Sequence, residues 1–300
     1  MRYIKSFAND SAIQAAVDDK TLGKPYVALN DQTGKIDWNG KEQGFAAQYL
    51  TIEALESGTF KIYRSNVDYS VNGAAWETSP ADDTTNLSLA QGDKVRFRAD
   101  GAGVVSETPT FGGQAIKFNV YGNIESLEYG DDFVGKTEIR TETGAFSRLF
   151  AGASGLTSAE NLILPATTLK PYCYGKNTNN DGMFKNCSSL IAAPALPATT
   201  LVEGCYANMF YGCTSLETGP DLLSEKFVSW SCYTMFRDCS KLIYVKCLAN
   251  NPSNDNCGWW LGGISTTGTL VKKPGYTWEI VPNQIWQYRI PGTWSQVDAT

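Results

Sequence analysis

Cys205-Tyr-Ala-Asn-Met-Phe-Tyr-Gly-Cys-Thr-Ser-Leu216 is one copy of a phrase that this chain writes three times. Its core, Met-Phe-x-x-Cys-x-x-Leu, stands at 183–190, 209–216 and 235–242. Phe150, Phe184, Phe210 and Phe236 recur at spacings of 34, 26 and 26, and a leucine follows each by six positions: Leu156, Leu190, Leu216 and Leu242. Six further on lie Leu196, Leu222 and Leu248, while in the first unit Leu164 lies eight beyond. The extra residues of the first spacing fall in Gly175–Asn180 and Ala159–Ile163, as loop insertions in a repeated unit do. A fixed period near 26 is the mark of stacked units, each unable to bury its apolar side alone. The expectation is a short leucine-rich-repeat solenoid in which Phe, Leu and Cys form columns.

The cysteines follow the period. Cys187, Cys213 and Cys239 each sit three residues after the repeat phenylalanine, with Ala153 in that place in the first unit. Cys173, Cys205 and Cys232 each precede a tyrosine, which reads as a second column. Three cysteines in a column cannot all pair, so stacked buried thiols are expected. There is no Cys-x-x-Cys pair, which argues against zinc.

Composition narrows the chemistry. The 300 residues are 42% hydrophobic, enough for a packed core. Net charge is −6, so neither nucleic acid nor an anionic membrane is an expected partner. The basic stretches Lys94-Val-Arg-Phe-Arg98 and Lys272-Lys273 are short and read as solvated faces. The chain has no histidine, which removes Ser-His-Asp and Cys-His nucleophiles and most catalytic zinc sites. No run of 18 apolar residues suggests a membrane span, and the opening Met1-Arg-Tyr-Ile-Lys-Ser shows no apolar core of a secretory signal.

Ahead of the repeats, two other patterns stand. In residues 1–44, Asn9 or Asp10 can cap a helix carrying Ala12, Ile13, Ala16 and Val17, and Pro25–Asn30 with Lys35–Trp38 read as a hairpin. This segment is too small to fold alone and is expected to dock elsewhere. Residues 45–118 alternate as short strands, with an Asn72-Gly73 hairpin turn and another turn at Gly92-Asp93, and suggest a β-sandwich. The solenoid is then expected over 119–257 and a C-terminal cap over 258–300, giving a mainly β chain.

The repeats resemble the BspA-like leucine-rich-repeat proteins of Bacteroidetes. The matching phrases are Cys205–Leu216, Ala193-Pro-Ala-Leu-Pro-Ala-Thr-Thr-Leu201 and Ser158-Ala-Glu-Asn-Leu-Ile-Leu-Pro-Ala-Thr-Thr-Leu169, within a likeness covering roughly 115–275. Leu222-Leu-Ser-Glu-Lys-Phe227 departs from the Leu-Pro-Ala-Thr-Thr-Leu phrase. The resemblance implies adhesion and ligand binding without catalysis. Similar repeats occur in virion proteins of Bacteroidetes phages of the crAss-like kind, and Ile4–Trp38 is similar to the openings of such proteins. The expected function is therefore a phage fibre or a capsid or tail decoration protein in the virion. Residues 1–44 would bind other virion proteins, and the solenoid would bind a host-surface protein or glycan. A closed homo-oligomer such as a trimer suits that role. The alternative is an adhesin or glycan-binding protein at the bacterial cell surface or outside the cell. No enzymatic activity, cofactor or metal is expected.

Candidate binding residues are few. Lys176, Asn177, Asn179, Asn180 and Asp181 form a polar insert, the kind of loop that carries recognition on a scaffold, against a neutral insertion as the plainer reading. Trp259 and Trp260 could stack on sugar rings, although such a pair more often closes the end of a stack. The Asp18-Asp19, Asp82-Asp83 and Asp131-Asp132 pairs read as solvated turn residues rather than calcium ligands or a glycosidase pair.

Overall fold

The computed structural model describes residues 4–7, 27–30, 36–38, 47–80, 84–100, 109–175, 182–281 and 290–300. The protein is mainly β, with several sheets and two short helices, Ser126–Tyr129 and Asn254–Cys257, among the described residues. The strands are β1 (Ile4–Phe7), β2 (Val27–Asn30), β3 (Ile36–Trp38), β4 (Leu50–Ala54), β5 (Gly58–Ile62), β6 (Asp68–Val71), β7 (Glu77–Thr78) and β8 (Thr85–Leu89). They continue with β9 (Lys94–Arg98), β10 (Phe118–Asn123), β11 (Leu156–Ile163), β12 (Tyr244–Cys247), β13 (Thr269–Lys272), β14 (Ile280–Val281), β15 (Ile290–Pro291) and β16 (Ser295–Asp298).

β2 and β3 pair antiparallel, as the hairpin reading of 25–38 requires, and β1 joins β2 in parallel. The helix expected after Asn9 or Asp10 lies outside the described residues. A six-stranded sheet then runs in the order β11-β10-β4-β9-β6-β7, while β5 pairs with β8. Alternation explains the layering: Leu50, Ile52, Val95, Phe97, Phe118 and Val120 are buried, and the residues between them turn outward. Phe60 of β5 lies 5.3 Å from Phe118 and 6.1 Å from Phe97, ring to ring. The turn after β6 has Asn72 at φ 50° and Gly73 at φ 79°, two consecutive left-handed residues of the kind an Asn-Gly hairpin turn needs. β10 pairs with β4 on one side and β11 on the other, so one sheet carries the chain across residue 118.

Lys94–Arg98 is not a fully solvated face. Arg98 bonds Asp131 through Nη1 at 2.7 Å and Asp68 through Nε at 3.0 Å, and its guanidinium lies 4.3 Å from the Trp76 ring centre. Arg96 sits 5.2 Å from the same ring. Asp131 also accepts the Tyr49 hydroxyl at 2.8 Å, so of the Asp131-Asp132 pair one member is engaged by partners brought from strands far away in sequence.

From residue 109 onward the chain is laid down in layers joined by backbone hydrogen bonds. Phe111 N–H donates to Leu149, Phe150 to Met183, Phe184 to Met209, Phe210 to Met235 and Phe236 to Trp260. The repeat phenylalanines consequently sit face to face. Phe150 and Phe184 are 5.6 Å apart at 3°, Phe184 and Phe210 5.4 Å at 8°, and Phe210 and Phe236 5.7 Å at 8°. All four are wholly buried, as are Leu156, Leu190, Leu216 and Leu242. Each such phenylalanine contributes ~2–3 kcal/mol of apolar burial.

The layers extend past both sequence boundaries. Phe111 heads the phenylalanine column, 5.7 Å from Phe150. Leu261 stands in that column after Phe236, and β13 and β16 extend a parallel sheet from β12. One apolar cluster joins Leu50 to Trp294.

Two registers differ from the sequence reading. Tyr206 N–H donates to Ser231 O, which aligns Tyr206 with Cys232. Cys232 therefore belongs to the tyrosine column below Tyr174 and Tyr206, not to that of Cys173 and Cys205. Likewise Leu222 bridges to Cys247, which is buried, whereas Leu248 is only half-buried. Cys232 stands 26 residues after Tyr206, so the period holds there and the Cys-Tyr dipeptide is displaced by one, whereas Cys247 follows Leu222 by only 25, and there burial selects the residue that reaches the core.

The corners of the layers are left-handed. Gly152, Asn186, Gly212, Asp238 and Gly263 stack in one column with φ between 58° and 76°. Asn186 leans over Gly212, where a Cβ would meet its Oδ1 at 2.3 Å, and Asp238 leans equally over Gly263. Side chain and glycine therefore alternate because adjacent layers are too close for two side chains.

Candidate functional site

The residue after Phe184, Phe210 and Phe236 points outward, whereas Ala151, after Phe150, is buried. Lys185, Tyr211 and Arg237 occupy that position in successive layers and are half-buried. They interleave: the Lys185 ammonium lies 5.7 Å from the Tyr211 ring centre on one side, and the Arg237 guanidinium 5.7 Å on the other. Arg237 also lies 4.8 Å from the Trp259 ring. The result is a ridge of alternating cations and aromatic rings across four layers. Trp259 is placed by a left-handed backbone at φ 61°, in line with Thr234 at 51° and Asn208 at 58°. Trp230 and Tyr233, 6.2 Å apart, add two half-buried rings from the Phe236 layer.

Electrostatics along the ridge are local. Burial and a hydrogen bond to Asp238 raise the Tyr211 hydroxyl above its ordinary range, and Arg237 stands 3.8 Å from Asp238. Tyr172 donates to Glu203 at 2.7 Å, and burial followed by that bond raises its phenol to about 12. These phenols stay neutral hydrogen-bonding groups near neutral pH. The ridge offers π faces, fixed positive charge and hydroxyls, which together suit contact with a partner surface.

Trp259 and Trp260, neighbours in sequence, part company. Trp260 is wholly buried, stacked 5.0 Å from Trp278 and edge-on to Phe227 at 6.0 Å. It is core, and the candidate binding role read for it is corrected: a left-handed Trp259 sends consecutive side chains to opposite sides of the chain. Lys176, Asn177, Asn179, Asn180 and Asp181 lie outside the described residues. The two ends of their insert are placed: a Cβ on Gly175 would meet Ala207 N at 2.4 Å, and one on Gly182 would meet Asn208 O at 2.1 Å. Both ends thus lie flat on the next layer. Tyr211, Arg237 and Lys185 were missed by sequence reading, which followed the apolar columns; reading the position beside Phe down the repeats would have found them.

The cysteines are packing groups with a directional bond. Sγ of Cys187, Cys213 and Cys239 donates to the carbonyl of Phe150, Phe184 and Phe210, at 3.2, 3.1 and 3.0 Å. Each thiol is thereby a second donor to a carbonyl of the layer before, which also accepts the backbone N–H three residues on. All eight cysteines are free and buried. Burial raises every one of these thiols, Cys205 and Cys247 to about 12, so none is a thiolate nucleophile near neutral pH. Among the described residues no group of three or more Cys, Asp or Glu could hold a metal ion, and no helix is long and apolar enough to cross a membrane.

Comparison with known protein families, with characterised proteins and with solved structures returns no match for this chain.

Proposed function

We propose that this chain is a non-enzymatic binding protein whose layered region is a short leucine-rich-repeat solenoid, seated on a β-sandwich built from β4–β10. Its setting in this reading is the virion of a Bacteroidetes phage, as a fibre or a capsid or tail decoration protein attached through residues 1–44. The solenoid presents its ridge to a host-surface protein or glycan. The observation that carries the binding role is the interleaving of Lys185, Tyr211, Arg237 and Trp259 across four layers. Aromatic rings and arginine concentrate at recognition surfaces because they bury large area at small entropic cost. The eight buried, protonated thiols and the lack of histidine support a role without catalysis.

Two measurements test the reading. Tagged protein should be visible on purified virions by electron microscopy; absence from particles, with recovery from the bacterial surface, assigns it to the adhesin alternative. Trp259→Ala with Tyr211→Ala should lower retention on host cells at least ~10-fold, about 1.4 kcal/mol, at an unchanged melting temperature. Unchanged retention would remove the ridge from recognition.

A further inference from the structure

The outer face of the six-stranded sheet carries a second feature, sharing no residue with the ridge. Strand registry sets Lys94, Glu53, Asn119 and Ser158 in one row across β9, β4, β10 and β11, and Arg96, Thr51, Tyr121 and Asn161 in the next. These residues alternate with Ile52, Phe118 and Val120, which face the core, so their side chains emerge on the opposite face. Between the rows lies an open cleft of about 320 Å³, lined by Glu53, Lys94, Asn119, Tyr121, Ser158 and Asn161 among others. Its volume falls at the lower end of small-molecule sites.

The chemistry of this cleft is specific. The Asn119 Oδ1 is buried and has no hydrogen-bond partner among the described residues. A buried acceptor left unmatched is costly, so a ligand donor reaching it would be rewarded. Glu53 and Lys94 stand 4.0 Å apart, so the charge of the cleft nearly cancels. Burial, followed by the charge of Glu53, raises the Tyr121 hydroxyl to about 12, which keeps it neutral. Acceptors (Glu53, Asn119), donors (Lys94, Asn161) and two hydroxyls are thus interspersed beside one aromatic ring. A single carboxylate beside an ammonium is a poor divalent-cation site, and Glu53 repels phosphate. A neutral polyhydroxyl ring, which donates and accepts from every edge and has an apolar face for an aromatic ring, matches the set.

We propose that the cleft between Glu53, Asn119 and Asn161 is a saccharide-binding site for a neutral sugar residue. Saturation-transfer NMR on the full chain would test this, with galactose, N-acetylglucosamine and N-acetylgalactosamine as probes and inorganic phosphate as an added competitor. Transfer to at least one sugar, undiminished by phosphate, is expected. Glu53→Gln and Asn119→Ala should each weaken that sugar at least 10-fold, whereas Trp259→Ala should leave it unchanged. Asn161→Ala, at a half-buried position, gives the same readout should Asn119→Ala lower the melting temperature. No transfer to any of the three sugars, binding indifferent to all cleft variants, or loss caused by Trp259→Ala alone would each overturn the proposal. Failure here leaves the ridge reading untouched, because the two sets of variants are read separately.

Discussion

Glu125 is an acid held away from water. It is wholly buried, and neither carboxylate oxygen has a hydrogen-bond partner among the described residues. Burial first, and then the nearby charge of Glu128, push its carboxyl up to about 9. Tyr174 and Tyr129 are the other titratable groups close enough to feel Glu125, and neither carries compensating positive charge. Glu128 itself is bonded by the Arg140 and Thr141 backbone N–H groups and the Thr141 hydroxyl, so it does not share the Glu125 environment. The sign follows from linkage. The folded state holds the proton up to about pH 9, whereas the unfolded carboxyl loses it near 4.5. Stability is therefore greatest below pH 4.5 as far as this group is concerned, and falls as pH rises through that window, by at most about 1.4 kcal/mol per pH unit. Glu125→Gln keeps the shape and removes the titration. Thermal unfolding between pH 5 and pH 9 should show a shallower decline in the variant than in the parent, with the variant the more stable at pH 8. Parallel curves would show that Glu125 is ionised in the folded protein.

The repeated layer is the element that sets geometry. Its strict feature is the left-handed corner, at which glycine alternates with Asn186 and Asp238 because the side chain of one layer fills the space above the next. Gly212→Ala meets two penalties, a Cβ at φ 74° and a contact of 2.3 Å with Asn186 Oδ1. The expected loss is about 2 kcal/mol in urea unfolding. Asn186→Ala in the same chain should recover part of it, since the contact is removed and the dihedral strain stays. Strict additivity of the two substitutions would mean that the layers do not touch at this corner. The thiols contribute in the same direction between layers, each adding a second donor to a phenylalanine carbonyl of the previous layer that already accepts a backbone N–H.

At the scale of the whole molecule, one core joins the sheets to the layers. Phe111 stacks on Phe150 at one side and on Phe97 and Phe60 at the other, and Phe118 belongs to both the six-stranded sheet and the first layer. The repeat region is therefore closed at its start by residues that precede the visible repeats. A chain begun at residue 119 loses Phe111 and Phe118 and exposes Phe150 and Leu156. It should aggregate on size exclusion or melt more than ~5 °C below the full chain. A monomer with the parent melting temperature would show that the layers close without the sheet.

The phenylalanine, leucine and Met-Phe-x-x-Cys-x-x-Leu columns were legible from sequence alone. In a repeat the contact between layers is encoded at a constant separation, so spacing stands in for three-dimensional register. Free thiols were expected from three cysteines in each column; the structure leaves only Cys173 and Cys205 in the second, and they are free and buried all the same, while the Asn72-Gly73 turn followed from the left-handed preference of those two residues. Tertiary structure alone decided what period could not express. The choice of Cys247 over Leu248 depends on which residue reaches the core when a layer is one residue short, and the place of Cys232 in the tyrosine column shows that the layer register, not the Cys-Tyr dipeptide, aligns the chain. The parting of Trp259 from Trp260 depends on one backbone dihedral. The outermost layers, Phe111 and Leu261, carry no repeat phrase, and the polar cleft assembles residues 53, 94, 119 and 158 through strand pairings whose separations follow no period. Such pairings are fixed by burying a common apolar face, and that energy belongs to the folded chain as a whole.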